Sequence, residues 1–307
     1  MKAVVLGAAA GGGFPQWNSN AVACRRARAG DAAARPRMQA SLAISGDGQR
    51  WFVINASPDL RQQIEAQPFI QPRQGLRSSP IEGVMLTGAD VDAIAGLLHL
   101  RERQPFTVYG SDRVLAVLEA NPIFDVLARD CVRRERVALN APFEPRHVDG
   151  SACGLEVELF DVPGKVALYL ERGSSPADLQ GEPGDTVGVE VRARGERLIY
   201  IPGCAQVTER LKQRLAGASV VLFDGTLWED DEMIRLGLGP KTGARMGHMS
   251  VSGDKGTMAA FRDIPVRRKI FVHINNSNPI LLDDSVERRL VMKAGWEVAY
   301  DGMEVSP

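Results

Sequence analysis

The stretch LTGADVDAIAGLLHLRE, residues 86–102, indicates the fold and also carries a candidate site. Apolar residues 81–87 predict a buried strand, and residues 93–102 predict a helix that follows it. The loop between them carries two carboxylates, Asp90 and Asp92. Two unpaired carboxylates repel each other, and a bound iron(II), manganese or magnesium ion would relieve that repulsion. An aspartate in a turn also makes local hydrogen bonds, so the loop alone leaves both interpretations open.

The composition is that of an ordinary globular protein. The 307 residues carry a formal net charge of -1, and 44% of them are hydrophobic. The chain lacks the basic excess typical of nucleic-acid binding, and it has no apolar run long enough to predict membrane insertion. The cysteines show no CxxC spacing and are predicted to be reduced thiols of a cytoplasmic protein. They are Cys24, Cys131, Cys153 and Cys204.

Hydrophobic patterning predicts the same rhythm of strands and helices in both halves of the chain. Hairpins are predicted over 41–55 and 187–203, and strand-then-helix units follow each of them. The predicted helices are 57–66, 93–102, 111–120, 208–217, 256–263 and 285–295. Such a pattern predicts an α/β fold in which two mixed sheets pack face to face between outer helices. We expect one domain over 1–307 made of two similar halves, with 171–185 as a surface loop between them.

Polar residues recur where predicted strands end, which is where rigid scaffolds place functional groups. Asp224 and His273 each follow an apolar run, and His248 lies in a glycine-rich loop. One or two carboxylates with two histidines would form the kind of ligand set that binds non-haem iron. Basic side chains near His248 could clamp a substrate carboxylate. The candidate metal ligands are Asp90, Asp92, His248 and His273; the candidate catalytic residues are Asp92, Asp224 and His273; the candidate substrate-binding residues are Lys241, Arg245, His248 and Asn275.

Two further motifs allow more than one interpretation. GAAAGGGFPQWN, residues 7–18, has glycines after a strand but no complete phosphate-binding pattern. A backbone that passes close to a ligand or to another strand explains those glycines equally well. The basic cluster CRRARAG, residues 24–30, fits either a solvated surface or a site that neutralises an acidic substrate. A solvated surface is the more frequent role of such a cluster.

Several long motifs together resemble one known family. They are GAAAGGGFPQWN, NASPDLRQQI, LTGADVDAIAGLLHLRERQPF, IYIPGCAQVT, LFDGTLWEDDEM and FVHINNSNP. They closely resemble the family of coenzyme PQQ synthesis protein B (PqqB), part of the metallo-β-lactamase-like superfamily. The resemblance covers almost the whole chain and implies an αββα sandwich. It also implies that Asp92 and His273 occupy metal-ligand positions and that His248 matches a histidine of phosphodiesterase-like members.

The chain departs from the patterns of that family and superfamily at several positions. Residues 88–93 read GADVDA where the superfamily has HxHxDH, so Asp90 replaces a histidine and Ala93 offers no ligand atom. Lys165 and Cys204 stand where hydrolases have a histidine and an aspartate. Near the N-terminus, Ser19 and Ala21 replace cysteines that hold a structural zinc in relatives. Cys24 alone cannot form a tetrahedral site, so we predict that this zinc is absent.

The resemblance implies a role in the biosynthesis of pyrroloquinoline quinone (PQQ). The expected activity is an iron- and oxygen-dependent hydroxylation, which makes the protein an oxidoreductase acting on a Glu-Tyr-derived precursor. The alternative is a metal-free carrier that binds PQQ or its precursor and assists its transport. Ala93 and the replaced cysteines favour the carrier. Other proteins of the PQQ pathway are expected partners, and a homodimer is left open.

Overall fold

The computed structural model describes residues 1–171, 173 and 180–307. Within them the chain forms two six-stranded sheets. The first contains β1 (Lys2–Gly7), β2 (Ser41–Ser45), β3 (Trp51–Ile54), β4 (Ile81–Met85), β5 (Phe106–Gly110) and β6 (Val132–Arg136), in that order. Strands β1 to β3 pair antiparallel, and β3 to β6 pair parallel. The carboxyl ends of the parallel strands therefore meet at one edge of this sheet.

The second sheet repeats this pairing pattern. It contains β7 (Glu156–Asp161), β8 (Val187–Ala193), β9 (Glu196–Ile201), β10 (Val220–Asp224), β11 (Arg268–Val272) and β12 (Trp296–Val298). Strands β7 to β9 pair antiparallel, and β9 to β12 pair parallel. Each half of the chain thus builds a hairpin and then parallel strands. Functional loops at the strand ends of both halves can consequently converge on one site.

Three apolar clusters hold these layers together. The central one joins inward-facing side chains of both sheets, including Phe52, Met85, Tyr200 and Leu222. The other two lie between each sheet and its own helices. The helices are α1 (Val22–Arg28), α2 (Leu60–Ala66), α3 (Val91–Ile94), α4 (Asp112–Ala120), α5 (Glu209–Leu215), α6 (Glu232–Arg235), α7 (Gly243–Met246), α8 (Thr257–Ala260) and α9 (Val286–Lys293). The predicted αββα sandwich is confirmed.

Some predicted boundaries were wrong. Helix α2 begins at Leu60 and not at Ser57. The preceding residues form a turn, in which the Leu60 N–H donates a hydrogen bond to the Ser57 carbonyl. The helix expected over 93–102 begins at Val91 and tightens into a 3-10 helix over Ala95–Leu100. The glycine-rich loop of the second half contains α7. Strand β6 was not predicted.

Part of the predicted loop 171–185 lies outside the described residues, so the prediction for it is not tested there. Residues 180–185 are the described end of this loop, and they contact the first half of the chain. Asp185 and Glu182 form ion pairs with Arg113 of α4. None of the helices in the described part of the chain has both the length and the apolar character needed to cross a bilayer.

Candidate metal centre and substrate pocket

One pocket of about 760 Å³ opens where strand-end loops of the two halves meet. Its walls include the glycine-rich loop after β1 and the loop before α3 that carries Asp90. The segments that follow β7, β9, β10 and β11 complete them. The lining includes Asp90, Asp92, Ala93, Lys165, Lys241, His248, His273 and Asn275. Among these are six of the predicted site residues. Asp224 lies beneath the pocket, and Arg245 does not line it.

Asp92 and His273 form the floor of the pocket, and each comes from a different half of the chain. Asp92 lies in the first turn of α3, and His273 directly follows β11. The distance from Asp92 Oδ2 to His273 Nε2 is 2.9 Å. His273 adopts a left-handed backbone conformation with φ of 57°, which is costly for a residue with a Cβ. Such strain is typical of functional positions, where surrounding contacts hold the side chain in place.

His248 stands beside His273, and the two rings stack at a centroid distance of 5.1 Å. Gly247, with φ of 84°, ends α7 in the left-handed region and turns the chain so that His248 follows it directly. The His248 Nδ1 lies 2.6 Å from Asp224 Oδ2. Ligand-capable atoms of Asp224, His248 and His273 all lie within 4.8 Å of one another.

Thr226 contacts both imidazoles, and no sequence pattern pointed to it. Its Oγ1 lies 2.6 Å from Asp224 Oδ1, 2.9 Å from His273 Nδ1 and 3.0 Å from His248 Nδ1. The single hydroxyl proton goes to the carboxylate, so the hydroxyl oxygen accepts from an imidazole N–H. This network keeps Nδ1 protonated on both rings. Each Nε2 then carries the lone pair when its ring is neutral.

The Asp92–His273 contact therefore requires a cation. A neutral His273 would point its Nε2 lone pair at a carboxylate oxygen 2.9 Å away. Either a proton or a metal ion must lie between the two atoms. Burial opposes charge on both groups, but their mutual hydrogen bond lowers the pKa of Asp92 and raises the pKa of His273. Without a metal, the pair is an aspartate–imidazolium ion pair.

Asp224 orients the centre and does not face the pocket. It is fully buried, and both of its oxygens already accept hydrogen bonds. Oδ1 accepts from the backbone N–H and hydroxyl of Thr226, and Oδ2 accepts from the Cys204 N–H and from His248. No lone pair remains well placed for a metal ion. The geometry makes Asp224 a positioning residue; its predicted catalytic role stays a prediction.

Asp90 lies beside Asp92 but is held in a different way. Its Oδ1 accepts a hydrogen bond of 3.2 Å from the Leu168 N–H. Burial and the neighbouring Asp92 carboxylate raise the pKa of Asp90, while Lys165 opposes the rise. Asp90 lines the pocket, so its ligand role stays a prediction.

The positions where hydrolases of the superfamily hold another metal ion offer few ligands. Lys165 donates to Glu171 and to the Val166 carbonyl. Burial and the nearby Asp224 raise the pKa of the Cys204 thiol, and Cys204 does not line the pocket. Gly88 has no side chain. The donor set thus fits a single metal ion at Asp92 and His273 better than a two-metal centre.

Three of the four predicted substrate-binding residues line the pocket, and Arg245 does not. Lys241 and Asn275 line the pocket, as does His248. Arg245 instead makes a bidentate ion pair with Glu171, at 3.1 and 2.8 Å. Its guanidinium is therefore committed to another side chain. The Cys24 thiol, expected to bind no zinc, is buried and contacts Asn276; the predicted absence of that zinc stays a prediction.

Two further features have ordinary structural roles. His99, a histidine outside the pocket lining, is exposed, and its Nε2 lies 3.2 Å from the Pro58 carbonyl. The glycine-rich loop passes close to neighbouring backbone, since a Cβ on Gly7 would lie 2.1 Å from the Gln39 carbonyl oxygen. That contact matches the close-approach interpretation of these glycines.

Comparison with known proteins finds relatives over the full length of this chain. A family model described as a beta-lactamase superfamily domain matches residues 50–274. Coenzyme PQQ synthesis protein B of Gluconacetobacter diazotrophicus is 59% identical, over 99% of this chain and 98% of that protein. The chain belongs to the PqqB family. The PqqB of Methylorubrum extorquens is 54% identical, over 99% of each chain.

A solved PqqB structure also matches over the full length. The crystal structure of Zn²⁺-bound PqqB from Methylobacterium extorquens has a TM-score of 0.95 and 53% identity, covering 100% of both chains. The PqqB family name supports a role in PQQ biosynthesis for this chain. The αββα fold implied by the sequence motifs is confirmed by the same match.

Proposed function

We propose that this PqqB-family protein catalyses an iron- and oxygen-dependent hydroxylation of a Glu-Tyr-derived precursor in PQQ biosynthesis. The observation that carries the proposal is the Asp92–His273 pair, which brings a carboxylate oxygen and an imidazole nitrogen from the two halves of the chain to 2.9 Å of each other. The pair lies on the floor of an open pocket of about 760 Å³. Pockets of that size accommodate small organic ligands.

The donor atoms fit a transition metal. A carboxylate oxygen and an imidazole nitrogen are donors that would suit iron(II), and Asp92 and His273 would hold the ion. Asp92 Oδ2 and His273 Nε2 are 2.9 Å apart. His248 offers a further imidazole and Asp90 a further carboxylate from the same pocket. Together these side chains would form a ligand set of the mixed carboxylate and imidazole type that non-haem iron oxygenases use.

When bound, iron(II) supplies the electron and dioxygen chemistry that side chains lack. The protein supplies orientation and proton transfer. Asp224 and Thr226 fix the ring planes of His248 and His273. With Nδ1 protonated, the His248 Nε2 can accept a proton from a substrate phenol. The Lys241 ammonium at the pocket wall can hold a substrate carboxylate, and this positioning accounts for much of the expected rate.

The test is iron binding by anaerobically purified protein, followed by oxygen-dependent turnover of a Glu-Tyr-derived substrate. We expect about one iron per chain in the wild type, since one metal position fits. Asp92→Ala and His273→Ala should each lose the iron and the product. Asp125→Ala is a matched control, because Asp125 is exposed and its ion pair among the described residues is with Arg129. Iron binding that survives His273→Ala would contradict the ligand assignment.

The second candidate is a metal-free carrier of PQQ or its precursor. The observation that favours it is Ala93, whose side chain lines the pocket without a ligand atom. Cys204, which does not line the pocket, and Lys165, which pairs with Glu171, also reduce the ligand set. A carrier should bind PQQ equally well with and without iron(II), and no product should form. A cytoplasmic location, contacts with other PQQ-pathway proteins and a homodimer remain parts of the proposal.

A further inference from the structure

The indole of Trp17 stands exposed at the mouth of the pocket. Its side chain is 85% exposed, although tryptophan is usually largely buried. Trp17 lines the pocket together with Val91 and Leu168, which are 58% and 55% exposed. The pocket rim is therefore apolar, while its floor carries carboxylates and imidazoles. One exposed apolar side chain is common on protein surfaces, but three around one cavity indicate a contact surface.

The loop that carries Trp17 is tied down on both sides. Arg28 of α1 donates through Nη2 to the Gln16 carbonyl and through Nη1, at 2.6 Å, to the Ser19 carbonyl. Arg25 donates at 2.7 Å to the Asn20 carbonyl. The side chain of Gln16 accepts a hydrogen bond from Asn276. The backbone on either side of Trp17 is thus held, and this is a role for the basic cluster of residues 24–30.

We propose that Trp17 is a pre-positioned platform on which the planar aromatic ring of the ligand stacks, with Arg28 as its positioning residue. The ligand class, a planar aromatic polycarboxylate, rests on the proposed function. A ring on the indole would cover apolar surface at the rim while its carboxylates reach Lys241 inside the pocket. Because the loop is already fixed, little conformational entropy is lost on binding.

Fluorescence of metal-free, full-length protein titrated with PQQ tests this assignment. An electron-poor quinone that stacks on indole quenches its emission. Trp51 and Trp296 are buried and Trp228 is partly buried, so a ligand in the pocket acts mainly on Trp17. We expect saturable quenching in the wild type and loss of most of it in Trp17→Phe. Trp17→Ala should weaken binding about ten-fold, measured by titration calorimetry.

The variants separate stacking from general damage. Leu76→Ala is the matched control, because Leu76 is fully exposed and does not line the pocket. It should bind PQQ as the wild type does. Arg28→Gln should weaken binding and reduce the quenching amplitude, with partial recovery in Arg28→Lys. A merely structural role of Arg28 would lower thermal stability without changing the amplitude.

Several outcomes would overturn the platform. They are unchanged quenching in Trp17→Phe, wild-type affinity in Trp17→Ala, or no binding of PQQ to the wild type. None of these measurements uses iron or turnover. Failure of iron binding would therefore reject the hydroxylase proposal while leaving the stacking result in place. Loss of the stacking result would likewise leave the iron-binding result in place.

Discussion

The hydroxyl of Thr226 connects the side chains of the candidate metal centre by hydrogen bonds. It contacts both imidazoles and the buried carboxylate that orients one of them. Hydrogen-bond partners of metal-binding histidines fix the tautomer and ring orientation, and their loss weakens metal binding. The Thr226 contacts with His248 and His273 join residues that lie 22 and 47 positions apart in the sequence.

Thr226→Val should weaken iron(II) binding about 10- to 100-fold, because the His273 ring loses the hydroxyl that accepts its Nδ1 proton and Asp224, the partner of His248, loses a hydrogen-bond donor. Iron titration under anaerobic conditions measures the change. Thr257→Val is a matched control: Thr257 is also buried, but its hydroxyl has no partner among the described residues. Equal affinities in the two variants would contradict the role of Thr226.

Ala93→His should raise iron(II) affinity at least about ten-fold, because it adds an imidazole next to Asp92 on the pocket wall. Ala93→Leu fills similar space without a ligand atom and should give no gain. Iron affinity of the three proteins is compared under the same anaerobic conditions. A gain in the leucine variant would show that packing, and not ligation, is responsible.

At the residue scale, the sequence located most pocket-lining residues but not their connections. Asp92 and His273 were both selected, since strand-end polar residues and the family resemblance pointed to them. Thr226 was missed because a lone threonine after a strand carries no pattern. Arg245 was expected in the pocket, but its partner Glu171 is 74 residues away in the chain, and no local signal reports that pairing.

At the scale of single elements, local patterns predicted most strands because their apolar runs are continuous. Strand β6 was missed because its sequence VRRER carries charges at four of five positions. It is an edge strand of the first sheet, where charged side chains remain solvated. Helix α7 was missed because it has only four residues within a glycine-rich segment. Tertiary contacts decide such short elements.

Ser111 caps α4 and also ties it to another segment. Its Oγ accepts from the Val114 N–H and donates at 2.6 Å to the Gly184 carbonyl. Ser111→Ala should lower the free energy of unfolding by about 2 kcal/mol, since a cap and a buried carbonyl partner are both lost. Ser285→Ala, which removes a cap only, should cost about 1 kcal/mol. Urea unfolding measures both; equal losses would contradict the second role.

At the scale of the whole molecule, the segment after β12 joins the two halves. Residues 302–305 pair with β1. The Val5 N–H donates to the Met303 carbonyl, and the Val305 N–H donates to the Ala3 carbonyl. Asp301 adds hydrogen bonds from the backbone N–H groups of Ala8 and Met38. The second half thereby covers the outer edge of the first sheet.

Asp301 should make stability depend on pH. Burial raises the pKa of Asp301 to about 7 in the folded protein, whereas it ionises near pH 4 when unfolded. Between these values only the folded state holds the proton, so stability should fall as pH rises from about 4 to about 7. The expected loss is on the order of a few kcal/mol.

The measurement is urea unfolding at several pH values for the wild type and Asp301→Asn. The asparagine variant cannot ionise, so its stability should change less over the same range. Asp284→Asn, at an exposed carboxylate, serves as the control for a lost surface charge. Parallel pH profiles of wild type and Asp301→Asn would contradict the assignment.

The pairing of residues 302–305 with β1 also has a consequence for synthesis on the ribosome. The Ala3 N–H donates to the Ser306 hydroxyl across 303 positions of sequence. During translation β1 is synthesised about 300 residues before the segment 302–305, so its outer edge stays unpaired until that segment has been made. A nascent sheet with an open edge is a template for pairing with other chains. Nascent-chain capture by chaperones should therefore continue until the segment 302–305 leaves the exit tunnel.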